Sequence, residues 1–312
     1  MRMLSILFLL IYSQSLTGKE SFDSSLEHPA LQNIEQITFS SMGFEKAGEA
    51  YFSPDGENII FQAAAIGDEY YQIFTMNLQE RIPKRVSTGK GACTCGFYRP
   101  DGKKIIFASS HDSPEPLKKI HTQDKYSWDL TPYMNIYEAD IDGSNLTALT
   151  KGSAYHAECA YSPDGLSLVY ASNEDGSMNL YTMKIDGTDV LQITNTTHCY
   201  NGGPFFSPDG TRIIFRADRQ ESHYLQLFVI DKDKQNEQQL TFDRTVNWAP
   251  FWHPNGVIII QELKNYIRTL QKERGYLEII TPILVKKKLY EISGHWEHYK
   301  ENIFSLDVII SR

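Results

Sequence analysis

The chain has 312 residues, 41% hydrophobic and 22% charged, a balance that excludes a disordered or fibrous polymer and leaves room for one large all-β domain or two smaller ones. Its 39 acidic against 30 basic residues give a formal charge of −9, which repels phosphate backbones and leaves no basic stripe for nucleic acid. No motif implies a cofactor, and no stretch beyond the first dozen residues approaches the roughly 20 apolar residues of a membrane-spanning helix.

At the N-terminus Arg2 precedes an apolar run from Leu4 to Tyr12, followed by small and polar residues. That order is the pattern of an export signal, here expected over residues 1–15, so the mature chain is expected in the periplasm or outside the cell, with no transmembrane segment. A buried first strand would need neither Arg2 nor the polar drop after Tyr12. Upstream of the first repeat, Ile37-Thr38 reads as the last strand of a blade with no blade before it, placed to clip a ring shut.

A self-similar unit follows. AYFSPDGENIIF from Ala50 recurs as GFYRPDGKKIIF from Gly96, AYSPDGLSLVY from Ala160, PFFSPDGTRIIF from Pro204 and PFWHPNGVIII from Pro250. The prolines fall at 54, 100, 163, 208 and 254, a period near that of propeller blades. In the turns Pro54-Asp55-Gly56, Pro100-Asp101-Gly102, Pro163-Asp164-Gly165 and Pro208-Asp209-Gly210, proline fixes φ, aspartate offers an acceptor and glycine supplies a positive φ to close a hairpin. Each turn is followed by an apolar strand. A third strand then begins at Ile73, Ile136, Leu180 or Leu227, and a short fourth holds Val86-Ser87, Leu149-Thr150, Ile193-Thr194 or Leu240-Thr241. Four strands per unit make a blade. The expected fold is therefore all-β: four blades plus part of a fifth.

Between Ser109 and Asn135 the repeat carries an insertion with His111, Pro114, Pro116, Asp124 and Trp128, a long rim loop whose role as a functional or a passive feature stays open. Cys93 and Cys95, two apart in one strand, are expected to share a face and not to bridge. Cys159 and Cys199 stand alone, which favours buried free thiols over a zinc site.

With GACTCGFYRPDGKKIIFASSH and YNGGPFFSPDGTRIIFRA, the repeated turns make residues 28–256 resemble the TolB-like WD-type propeller proteins. The resemblance implies a protein- or ligand-binding propeller, often periplasmic or at the cell surface, whose partner is another exported or envelope protein or a small ligand at the rim. Some relatives precede a peptidase domain, but this sequence holds no G-x-S-x-G elbow.

After Gly256 the period changes. Ile260, Leu263, Ile267 and Leu270 form one apolar helical face, Gly275 stops the helix, and Tyr276 to Ile280 alternates as a strand before Pro282. Residues 257–312 are thus expected to be a short α/β segment. Arg274-Gly275-Tyr276, Pro282, and Ser293-Gly294-His295-Trp296 with Tyr299-Lys300-Glu301-Asn302 make about 251–304 resemble the start of the threonyl-tRNA synthetase catalytic core. In that family the later motifs hold ATP and zinc and lie beyond this stretch, so the resemblance implies a catalytically incomplete segment. A gene fusion and a truncation or frameshift fit the join equally. His295 and His298 lack a third ligand for a metal.

Function resolves into three readings. The first is a non-catalytic binding scaffold with channel candidates Glu49, His156, Glu158 and Asn247 just before inner strands and His111 just after one; their ordinary alternative is hydrogen bonding of the ring interior. The second is a threonine–tRNA ligase fragment. The third is a hydrolase or lyase pairing His111 or His156 with Glu158 across the channel. No catalytic residue and no metal site is assigned.

Overall fold

The computed structural model describes residues 35–113, 130–244 and 246–252. The chain divides into two compact units, Met1–Trp252 and His253–Arg312, and every described residue lies in the first. The export signal, the insertion tip with Pro114, Pro116, Asp124 and Trp128, and the helix, strand and motif residues of the tail, including Arg274, Gly275, Tyr276 and Pro282, lie outside the described residues.

Sixteen strands form four sheets, each an antiparallel meander of four consecutive strands. The first blade holds β1 (Phe44–Phe52), β2 (Asn58–Ala65), β3 (Gln72–Asn77) and β4 (Pro83–Arg85). The second holds β5 (Cys93–Tyr98), β6 (Lys104–Ser109), β7 (Asn135–Asp140) and β8 (Thr147–Ala148). The third runs β9 (His156–Tyr161), β10 (Ser167–Ser172), β11 (Asn179–Lys184) and β12 (Leu191–Gln192), and the fourth β13 (Asn201–Phe206), β14 (Arg212–Ala217), β15 (Gln226–Asp231) and β16 (Gln238–Gln239).

Three local devices recur, and each traces to the repeat. The first is the turn between the two leading strands: the Ser53 hydroxyl donates to Asp55, accepts from the Asn58 amide at 2.9 Å, and Asp55 accepts from the Glu57 amide at 3.0 Å. Ser162–Asp164 and Ser207–Asp209 repeat it. In the second blade Arg99 replaces the serine and instead pairs with Asp101 at 2.7 Å.

The second device is an aromatic pair directly across the second and third strands. Phe61 faces Phe74, Phe107 faces Tyr137, Tyr170 faces Tyr181 and Phe215 faces Phe228, all stacked with ring centroids 5.6 to 6.4 Å apart. Such cross-strand pairs stabilise a sheet and fix its register. The third explains the Ser/Thr element. The hydroxyls of Ser87, Thr150, Thr194 and Thr241 accept the amides of Ile73, Ile136, Leu180 and Leu227 at 2.8 to 3.0 Å, and the first three donate to Gln72, Asn135 and Asn179. A two-residue fourth strand is thereby held to the third.

The core lies between blades. Ile60 and Ile73 of the first blade pack with Cys93, Tyr98 and Phe107 of the second; Ile106 and Ile136 of the second pack with Leu168 and Tyr170 of the third; Val169 and Leu180 of the third pack with Phe206, Ile213 and Phe215 of the fourth. The innermost strands record this packing. All six residues of β9 are buried, whereas seven of the nine in β1 are exposed; among the described residues no blade precedes β1. Ile37-Thr38 does not supply the expected closing strand: residues 35–39 form no strand, and Ile37 packs instead beside Phe44 and Phe61. Among the described residues it has no third strand to pair with. Beyond β16, residues 246–252 run as an inner segment of a fifth unit, the Asn247 amide donating to Leu225 O at 2.9 Å and Trp252 Nε1 to Phe205 O at 3.1 Å.

Candidate functional site

Each inner strand carries a bulge at one repeat position, five residues before the turn proline. There Glu49, Cys95, Glu158, Gly203 and Ala249 all have positive φ, between 48° and 57°. The ladders shift register at the same places, between Gly48 and Tyr51, Thr94 and Phe97, Val169 and Ala171, and Gly202 and Phe205. Bulges re-aim side chains, and a repeated bulge re-aims all of them to one place. These five residues line a single cavity of about 460 Å³, within the range of small-molecule sites.

Two positions further along, the inner strands contribute aromatic rings. Tyr51 lies 4.5 Å from Phe97 and 6.0 Å from Phe205, and Phe251 meets Phe205 edge-on at 5.0 Å. The third blade has Ala160 here and contributes no ring. The cavity thus has an aromatic wall and a polar one.

The polar wall is built around Glu158 and Arg216, whose side chains are only 3% and 6% exposed. Arg216 Nη2 donates to Glu158 Oε2 and to the Tyr200 hydroxyl, both at 2.8 Å. Tyr200 donates to Glu158 Oε1 at 2.6 Å, and the Gly203 amide donates to Oε2. Trp248 covers the guanidinium at 3.9 Å. Two glycines make this packing possible. A Cβ on Gly203 would stand 1.9 Å from Arg216 Nη1, and one on Gly202 would stand 2.2 Å from the Tyr200 hydroxyl and 2.6 Å from Glu158 Oε2.

Electrostatics follow from burial. Burial and then the Glu158 carboxylate push the Tyr200 phenol well up. Burial works to lower the Arg216 pKa, but Glu158 and Tyr200 outweigh it and raise it. Glu49 is exposed by area along β1 while its carboxyl lines the cavity, where desolvation and then Glu158 raise its pKa against a hydrogen bond from Cys95 and the charge of Arg216. Burial alone drives most of the rise of Cys159, to about 12.

The sequence candidates separate into three groups. Glu49 and Glu158 reach the cavity, from within inner strands rather than before them. Asn247 does not line it; its side chain donates to Leu225 O at 3.2 Å and to Asp243 Oδ1 at 3.0 Å. Asn247 and His156 both sit seven residues before a turn proline, where the backbone amide joins the preceding blade: Asn247 to Leu225, Asn201 to Met178, His156 to Met134 and Cys93 to Tyr71. His156 is buried at 2% exposure with neither ring nitrogen hydrogen-bonded, and burial lowers its pKa. His111 follows β6, a second strand and not an inner one; it hydrogen-bonds Ser109 at 2.9 Å and packs on Tyr137. Neither histidine pairs with Glu158, whose oxygens are taken by Tyr200, Gly203 and Arg216.

Cys93 and Cys95 do not share surroundings, because the bulge falls between them and their register partners: Cys93 reaches Ser109 at 3.3 Å, while Cys95 lines the cavity. Cys93, Cys95, Cys159 and Cys199 are free thiols, and no group of three or more metal-ligating side chains occurs among the described residues. Tyr200, Gly202, Gly203, Arg216 and Trp248 were not singled out by sequence reasoning. One signal was present: eight residues after the turn proline the blades carry Gln62, Ala108, Ala171 and then Arg216, a lone charge at an apolar or neutral position.

A family model for the TolB beta propeller domain matches residues 126–272. Among solved structures, a putative TolB from Agrobacterium tumefaciens superposes with a TM-score of 0.53 at 21% identity, covering 68% of this chain and 73% of that one; TolB from Acinetobacter baumannii gives 0.47 at 18%, covering 63% and 43%. Curated relatives are of a different kind. The threonine–tRNA ligase of Thermotoga neapolitana is 50% identical over 128 residues, 38% of this chain and 20% of that protein, and the ligase of Dinoroseobacter shibae is 50% identical over 58 residues, 19% and 9%. The chain thus spans a fifth or less of the length of those ligases. By its blades the chain has a β-propeller fold similar to that of TolB, and over part of its length it is similar to threonine–tRNA ligases.

Proposed function

We propose that the chain is an exported, non-catalytic binding module that holds its ligand in the cavity of the inner-strand bulges. The observation that carries this reading is the convergence of Glu49, Cys95, Glu158, Gly203 and Ala249 on one cavity by a repeated strained backbone position. Strain of about 1–3 kcal/mol at a non-glycine residue persists only where the surroundings impose it, and it gathers at sites that bind. The reading as non-catalytic is supported by Glu158 having its oxygens occupied by a structural network rather than facing a histidine base. Arg2 and the apolar run to Tyr12 support export to the periplasm or beyond. The partner is another envelope protein or a small ligand.

The test is a thermal-shift screen of small ligands and envelope peptides on the full chain against Ala249→Phe, which fills the cavity at a position already in positive φ. Ligands that stabilise the wild type and not the variant support the reading; a panel in which none does so overturns it. For the synthetase-like segment the expected result is no threonine-dependent pyrophosphate exchange. Detectable exchange would favour the ligase reading.

A further inference from the structure

The cavity holds two carboxylates and one guanidinium, and they are not equivalent. Glu158 and Arg216 neutralise one another at 2.8 Å; Glu158 Oε2 also accepts from the Gly203 amide, and Oε1 accepts from Tyr200. Glu49 has a different environment. Its side-chain partner is the thiol of Cys95, a weak donor, and no lysine, arginine or histidine forms an ion pair with it among the described residues. With two carboxylates and one guanidinium among the described lining residues, and Glu49 in no ion pair there, the cavity is left one negative charge in excess.

The aromatic wall stands next to it. Tyr51 is two residues from Glu49 on β1, and with Phe97 and Phe205 it forms a group of rings between 4.5 and 6.0 Å apart. An anionic point beside aromatic faces is the chemistry that recognises an organic cation: the carboxylate takes the ammonium hydrogens, and ring faces attract the charge and the adjoining hydrocarbon. A divalent metal ion fits poorly, because hard cations require several oxygen ligands and among the described residues Glu49 is the one lining carboxylate without an ion-pair partner. An organic anion meets the excess negative charge.

We propose that the cavity binds a small arylalkylammonium ion, its ammonium group on Glu49 and its apolar body against Tyr51, Phe97 and Phe205. This rests on the reading of the cavity as the binding site and names the class of ligand. Arg216 serves that site from behind, cancelling Glu158 so that a single carboxylate remains to define the charge of the ligand.

The test is isothermal titration of the full chain at pH 7 with phenethylammonium chloride, its neutral isostere 2-phenylethanol, and the anion 3-phenylpropionate. The expected result is binding of the ammonium ion with the other two weaker by about tenfold or more, and a comparable loss for Glu49→Gln with its unfolding transition retained. Equal binding of the three probes, preference for the anion, or undiminished ammonium binding by Glu49→Gln overturns the proposal. If the screen against Ala249→Phe yields cavity ligands and phenethylammonium is not among those that bind, the ammonium assignment fails and the binding module stands; if it yields none, both fail.

Discussion

Gly203 and Arg216 occupy one another's space: the Cβ that Gly203 lacks would lie 1.9 Å from the Arg216 guanidinium, and the Gly203 amide donates to the carboxylate that Arg216 neutralises. The third and fourth blades are therefore joined by charge as well as by apolar packing. Gly203→Ala is expected to displace the guanidinium from Glu158 and lower the urea midpoint, at a cost of about 1–3 kcal/mol from overpacking. Retention of the wild-type midpoint would show that the network does not need the glycine.

Arg216→Met removes the cation paired with the buried Glu158. Leaving a buried carboxylate without its partner costs about 3–5 kcal/mol, whereas replacing both members with apolar or neutral groups costs far less. Chemical denaturation should show Arg216→Met strongly destabilised and Glu158→Gln/Arg216→Met substantially recovered. Equal loss in the single and double variants would mean that packing, not charge, governs the site.

Glu49 yields a pH prediction. Its folded-state pKa is raised above the ordinary 4.5, chiefly by desolvation and then by Glu158, so its ionised form disfavours the fold: its favourable contribution is complete below the ordinary value and is lost as pH rises through the higher folded one. Glu49→Gln is expected to raise the thermal midpoint at pH 7, with the gain vanishing below pH 4.5. A gain that is constant with pH would remove the electrostatic cause.

Asp209 runs the other way. Hydrogen bonds from Ser207, the Thr211 amide and the Thr211 hydroxyl hold its pKa down to about 2 from the ordinary 3.8. Its contribution is present above the ordinary value and is lost as pH falls from there towards 2. Asp209→Asn should be less stable than wild type at neutral pH and indistinguishable from it near pH 2, as read from thermal midpoints across that range.

The blades were legible because each of their devices is local in sequence. Ser53-Pro54-Asp55-Gly56 forms a turn through bonds within five residues, and Leu149-Thr150 marks the end of a blade because the Thr150 hydroxyl caps the Ile136 amide. Glu49 and Glu158 were legible as polar residues at the inner strands, although the sequence placed them just before those strands and the structure places them within. The partnership of Glu158 with Arg216 was not, since it spans two blades and 58 positions, and no local pattern encodes it. His156 and Asn247 misled for a related reason: a polar residue at a blade junction looks the same in sequence whether its side chain faces the axis or the neighbouring sheet.

The four-stranded ladders of this fold close within single blades, and successive blades meet through side-chain faces and single backbone bonds such as His156 N to Met134 O. A chain built this way can exchange a terminal unit for unrelated sequence without breaking any hydrogen-bonded ladder of the blades that remain.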